Sequence, residues 1–163
     1  MQKQTVPSKK MEEKEALNRA AALCSSRECC ISEIEEKLAR WGIVSEAQER
    51  IISQLLKEGF INEARFCRAY ALDKLRYNHW GRVKIDQMMR LMGLSEADRR
   101  QALDQLPEEE YLDILRHLAQ SKIPTIKASS DYERKGKLVR FLLGRGFEAD
   151  LIYRAIDLTD ETC

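Results

Sequence analysis

Three glycines constrain this chain more than any other feature. Gly42, Gly93 and Gly146 lie 51 and 53 residues apart, and each is set in the same apolar frame. Eight residues before each stands Ile34, Ile85 or Leu138; four before stands Leu38, Met89 or Leu142; one after stands Ile43, Leu94 or Phe147. Nine and ten after come Ile51–Ile52, Ala102–Leu103 and Ala155–Ile156. The spacing of eight and four before the glycine is that of one helix face. Glycine after the last apolar residue is the residue that closes a helix most readily. The pattern is therefore one three-helix, helix-turn-helix-like unit written three times. A unit of about 50 residues has a small core and leans on its neighbours. The expected fold is all-α: three tandem three-helix repeats forming an elongated, curved array. Seven Gly and three Pro in 163 residues leave few interruptions, in keeping with helix throughout.

The expected boundaries are a disordered tail over 1–10, repeats over 11–59, 60–106 and 107–158, and a C-terminal tail over 159–163. The first helix carries Ala16, Leu17, Ala20, Ala21 and Leu23 on its apolar face. The second starts near Cys30 with Ile34, Leu38 and Trp41 inward, and the third starts on the box Ser45-Glu46-Ala47-Gln48. Asn62 caps the fourth, with Phe66, Ala69 and Tyr70 on one face. Ile85, Met88, Met89 and Met92 form the apolar stripe of the fifth. Ser95 caps the sixth. Pro107 and three glutamates open the seventh, at the end where negative charge is favoured, and Leu112, Leu115 and Leu118 follow. Residues 121–130 read as a loop inside the third repeat. Ser130 starts the eighth helix, whose interior Gly136 weakens it by about 1 kcal/mol relative to Ala.

The middle of the chain carries a recognisable order of residues. Ile61-Asn62-Glu63-Ala64-Arg65-Phe66-Cys67 is followed by Tyr70, by Gly81-Arg82-Val83-Lys84-Ile85, and by Met89 and Gly93-Leu94. Near the end stands Arg145-Gly146-Phe147. This order resembles the RecX family of recombination regulators, from about Leu17 to Ile156. It differs from the family pattern at Glu63 (usually Asp), Cys67 (usually Ala) and Arg82 (usually Pro). Arg82 leaves φ free where Pro would fix it. In the helix before, Cys30 takes the place of the family's capping Ser, with Arg27, Glu33 and Ile34 around it. The resemblance implies a protein that binds along the groove of the RecA–DNA filament and dampens RecA's ATP hydrolysis and strand exchange in DNA repair, homologous recombination and the SOS response. It implies no cofactor.

Charge is distributed in blocks. The chain carries 28 Lys and Arg against 27 Asp and Glu, a net +1. Yet residues 62–92 carry +4, 96–113 carry −5, 116–145 carry +6 and 148–163 carry −4. Near-neutrality argues against bulk attraction to nucleic acid; alternating blocks suit a partner of mixed sign. Five cysteines and a polar N-terminus without an apolar core read as a reduced, cytoplasmic protein. No stretch is long and apolar enough for a membrane helix. The cysteines form no CxxC pair, and His79 and His117 are far apart, so no metal is expected. There is no Gly-rich phosphate loop, GxSxG or HExxH, and an enzyme is not expected.

Two stretches could meet a partner. In the corner Arg76, Tyr77, His79, Trp80, Arg82 and Lys84, aromatics interleave with cations, a composition suited to stacking on bases or to an interface anchor. The same residues also fit a Trp80 packed between repeats beside solvated charges. The second stretch is Arg134, Lys135, Lys137, Arg140 and Arg145, partly a stripe on the eighth helix; a solvated helix face has the same pattern. The expected partners are a RecA filament and, weakly, single- or double-stranded DNA, with the protein itself a monomer. Two other readings stay open: a helical protein that binds DNA directly with a steep salt dependence, and a helical-repeat scaffold for an unrelated protein.

Overall fold

The computed structural model describes residues 11–160; the expected tail over 1–10 and residues 161–163 lie outside it. Among the described residues there are nine α-helices and one 3-10 turn, and no strand. They are α1 (Glu13–Ser26), α2 (Ile31–Arg40), α3 (Ser45–Lys57), α4 (Glu63–Asn78), α5 (Arg82–Leu91), α6 (Glu96–Asp104), α7 (Glu108–Lys122), α8 (Asp131–Gly144) and α9 (Ala149–Asp160). Thr159 and Asp160, assigned to the C-terminal tail from sequence, belong to α9. No described helix is long and apolar enough to cross a membrane.

The repeat is visible atom by atom. Gly42, Gly93 and Gly146 have φ of 77°, 77° and 92°, the left-handed region that only glycine enters without penalty. Their amides donate to Ala39 O, Arg90 O and Leu143 O, and the next amides, of Ile43, Leu94 and Phe147, donate to Leu38 O, Met89 O and Leu142 O. This pair of bonds is the Schellman closure, made at all three repeat glycines and also at Gly59 after α3, where the Gly59 and Phe60 amides donate to Leu56 O and Leu55 O. The apolar frame around it is buried: Ile34, Ile85, Leu38, Met89 and Leu142 are fully enclosed, and Leu138, Ile43, Leu94 and Phe147 nearly so.

The chain divides into two compact units, the first ending at Phe66 and the second beginning at Cys67. In the first, α3 packs on α1 and α2. Its core joins Ala16, Ala20 and Cys24 of α1 to Ile34, Leu38, Ile51 and Leu55. The face of α1 is thus centred on Ala16, Ala20 and Cys24, with Leu17, Ala21 and Leu23 half-buried at its flanks. Small residues at i, i+4 and i+8 let neighbouring helices come close.

Two helix starts differ from their sequence reading. Cys30 is the residue before α2, as expected, but its side chain caps nothing. The Ile31 amide instead points at Glu63 Oε2, 3.4 Å away. At α3 the residue before the helix is Val44, and Ser45 is its first residue. Val44 occupies the repeat position held by Ser95, two after the glycine, so the Ser-x-x-Gln box is offset by one. Gln48 instead turns its amide back to Ile43 O at 2.8 Å. The other caps are as read: Asn62, Ser95 and Ser130 accept the amides of Arg65, Asp98 and Glu133.

In the second unit α5 packs on α6, while α7, α8 and α9 pack on one another. The buried face of α4 here is Cys67, Ala71 and Leu75; Ala69 and Tyr70 are half-buried. The inward face of α7 is Tyr111, Leu115 and Ala119: Leu115 is buried as expected, while Leu112 and Leu118 are half-buried beside it. The expected loop over 121–130 is shorter than its composition suggests. Ser121 and Lys122 finish α7, and Ile123–Thr125 continues as a 3-10 turn.

Candidate functional site

The corner between α4 and α5 is held by main-chain bonds, with side chains added around them. His79 has φ 55°, a left-handed conformation that His adopts more readily than most residues. It turns the chain so that the Trp80 amide reaches back to Lys74 O at 3.1 Å. The Gly81 amide then donates to Arg145 O (2.8 Å) and the Val83 amide to Gly146 O (2.9 Å). The α4–α5 corner is thereby bonded, backbone to backbone, to the turn between α8 and α9. A Cβ on Gly81 would meet the Gly146 carbonyl and lie 2.5 Å from the Phe147 amide nitrogen. A Cβ on Gly146 would lie 2.6 Å from the Lys84 amide nitrogen. Both positions therefore exclude any side chain.

Arg82 is the first residue of α5, where Pro is also well placed. Its guanidinium lies 3.9 Å from the Tyr111 ring centroid and bonds Glu148 at 2.8 Å and Glu108 at 2.7 Å. Its amide donates to Tyr111 Oη at 3.0 Å, and Tyr111 Oη in turn donates to Glu148. Burial, then the bond to Glu148, push the Tyr111 hydroxyl well above its ordinary pKa. Arg82 is 19% exposed: its charge is spent inside the second unit.

The other corner residues divide in two. Arg76 makes a two-pronged pair with Glu110 at 2.7 and 3.0 Å, which holds the Glu110 carboxyl below its ordinary range. Arg145 donates to Asn78 O at 2.8 Å. By contrast, Trp80 is half-buried with Lys74 Nζ 5.1 Å and Lys84 Nζ 4.6 Å from its ring centroid. Among the described residues neither lysine has an ion pair. Tyr77 is 79% exposed, and His79 is exposed. Two cations above an indole, with an exposed phenol nearby, form a surface that can stack on a planar group and neutralise an anion. Lys74 was not singled out from sequence. Its signal is the helix end itself, which folds Trp80 back over the last turn of α4.

His79 and His117, the chain's two histidines, line one groove of about 610 Å³ with Glu109, Asp113, Ile114 and Leu118. His117 Nδ1 is engaged with Asp113 O at 2.7 Å. Among the described residues no group of three or more His, Cys, Asp or Glu side chains is placed to hold a metal ion.

The second predicted stretch is more neutralised than its sequence suggests. Arg134 pairs with Asp131, Lys135 with Asp157, and Lys137 with Glu133 and the Lys127 carbonyl. Arg140 is exposed and has no ion pair among the described residues. Beside it are two residues that the sequence reading passed over, Tyr132 and Tyr153, 91% and 48% exposed.

Comparison with known proteins bears on the repeats. Residues 62–103 match the profile of the second three-helix domain of RecX, and residues 108–156 that of the third. The regulatory protein RecX of Chlorobaculum tepidum is 28% identical over 143 residues, spanning 88% of this chain and 87% of that protein. That of Clostridium perfringens is 31% identical over 120 residues, 72% of this chain and 56% of the relative. Against the RecX of Leuconostoc mesenteroides the identity is 23%, and the match spans only 48% of that protein's length. A crystal structure of RecX from Lactobacillus salivarius superposes with a TM-score of 0.80 at 21% identity, over 91% of this chain and 96% of that one. Another, of a regulatory protein RecX, also scores 0.80 at 22% identity, over 89% and 73%. With two consecutive domain profiles covering more than half of its length, in the order of the repeats, the chain belongs to the RecX family.

Proposed function

We propose that this chain is a regulator of RecA that binds the RecA–DNA filament without a cofactor, acts in the cytoplasm, and lowers RecA's ATP hydrolysis and strand exchange. Membership of a family of regulatory proteins supports the regulatory role. The observation that carries the contact is Trp80 under Lys74 and Lys84, with Tyr77 exposed: aromatic and cationic groups that make no ion pair among the described residues. His79 belongs to the same surface. The repeat boundaries 11–59, 60–106 and 107–158 are part of the proposal, and the profiles over 62–103 and 108–156 support the last two. The alternating blocks of charge fit a filament that presents both protein and polyanion.

The test is RecA's DNA-dependent ATP hydrolysis as the protein is titrated in. Suppression at fewer molecules than RecA subunits is expected, with the Lys74→Glu, Lys84→Glu double variant at least about tenfold less potent, since two charge reversals face an anionic or acidic partner. Unchanged hydrolysis at saturating protein would overturn the reading. Tight duplex binding with a steep salt slope and no need for RecA would move it to direct DNA recognition.

A further inference from the structure

Gly136 is anomalous. It lies in the interior of α8, where glycine destabilises, yet a Cβ there would have nothing within 4 Å. No neighbour in the described structure requires its absence. The space it leaves is part of a groove of about 630 Å³ between α8 and α9, whose lining includes Tyr132, Lys135, Val139, Arg140 and Tyr153. Two phenol rings are exposed in one groove, and Val139 supplies an apolar floor. Among the described residues Arg140 has its guanidinium uncommitted, and Lys135 is held only by Asp157 at 3.5 Å. The one carboxylate in the lining, Glu133, is already taken by the Ser129 amide and hydroxyl and by Lys137.

The geometry points to this groove as a seat for a single-stranded polynucleotide: bases stacked on Tyr132 and Tyr153, a phosphate on Arg140, and the sugar–phosphate chain passing close over Gly136. Each part answers to a different piece of that ligand. Aromatic rings bind any base through its π-face, and a guanidinium matches a phosphate fork. A helix position without a side chain admits a backbone that a Cβ would hold off. An acidic protein segment would use the cations but not the two exposed rings or the gap. The inference deepens the proposed filament reading by placing the strand, and rests on that reading only in that the filament contains one.

The experiment is fluorescence anisotropy of a labelled oligo-dT with the full chain and no RecA, at low salt, with an abasic oligomer of equal length as competitor. Oligo-dT is expected to bind, and to outcompete the abasic strand. The Tyr132→Ala, Tyr153→Ala pair should weaken binding at least about tenfold, and the corresponding Phe pair by no more than about twofold, because the ring and not the hydroxyl is used. Arg140→Ala should reduce the slope of log K against log salt by about 0.7, one phosphate's share. Gly136→Leu, whose side chain fills the groove, should also weaken binding. Circular dichroism checks folding; should the tyrosine pair not fold, Arg140→Ala and Gly136→Leu decide. No binding of oligo-dT, equal binding of the abasic strand, or wild-type affinity in the tyrosine pair would overturn the groove assignment, as would displacement of the oligomer by polyglutamate with the tyrosine pair unaffected. None of these depends on RecA hydrolysis, so failure here is separable from failure of the regulator reading.

Discussion

Gly81 and Gly146 mark a backbone-to-backbone contact: a Cβ added to Gly81 would enter the main chain at Gly146, and one added to Gly146 would meet Lys84 in the first turn of α5. Two amide bonds, Gly81 to Arg145 O and Val83 to Gly146 O, are made across that contact. Gly81→Ala should therefore destabilise the protein by at least about 2 kcal/mol, although its φ of −82° suits alanine. Gly93→Ala is the control. It has φ 77° but open space, and should lose only about 1 kcal/mol for the left-handed backbone. Urea midpoints at constant m-value measure both. An order reversed between the two would mean that the corner relaxes easily.

Arg82 lies between two carboxylates and against the face of Tyr111. Arg82→Met should keep the packing against the ring and still lose about 2 to 3 kcal/mol, because Glu148 is left without its cation. Tyr111→Phe removes the acceptor of the Arg82 amide and the donor to Glu148, and should lose about 1 to 2 kcal/mol. The double variant should lose less than the sum, as expected for one shared network. Chemical denaturation of the three proteins gives the coupling.

Acid should loosen the start of α8 early. The hydroxyl and then the amide of Ser129, followed by Lys137, hold the Glu133 carboxyl down to about 2. The folded value is below the unfolded one, so the group's stabilisation is present above the ordinary carboxylate range near 4.5. It is lost as pH falls from there toward about 2. Glu13 and Glu110, lowered by bonds to Arg50 and Arg76, act in the same direction. Denaturation midpoints between pH 5 and pH 2 should fall, and Glu133→Gln should fall less steeply. Equal slopes would show that the carboxylate is not held.

The thiols of Cys24, Cys29, Cys30 and Cys67 should be silent in the folded protein. All four are buried. Burial pushes the Cys29 thiol up to about 12, and those of Cys24 and Cys30 upward as well. A thiolate is the reactive form. In a Cys163→Ser background, a disulfide reagent at pH 8 should label them only as fast as the fold opens, and all four promptly in denaturant. Rapid labelling of the folded protein would contradict the burial.

The fold was legible because its closure is local. A glycine, the apolar residues four and eight before it and the one after are all within one short window, and the same window recurs. The cap of α3 was misread because Ser45 matches a capping box while the repeat frame assigns the cap to Val44; the frame was the better guide. Arg82 read as a contact residue because its neighbours in sequence are basic and aromatic. Its partners Glu108, Tyr111 and Glu148 are 26, 29 and 66 positions away, a distance no local pattern spans. Tyr132 and Tyr153 were missed for the same reason: each is the single tyrosine of its helix, and only the packing of α8 on α9 brings both into one groove.

The threefold glycine closure leaves one further mark on the molecule. Because each turn is fixed by main-chain bonds and a residue without a side chain, the position two places on is free of any duty to the turn. The three copies have filled it with Val44, Ser95 and Glu148: a bare aliphatic, a hydroxyl that caps its helix, and a carboxylate that anchors Arg82 and Tyr111. A joint made of backbone alone lets duplicated segments drift apart in chemistry while staying superimposable in form, which is how one short motif can supply three non-equivalent parts to a single chain.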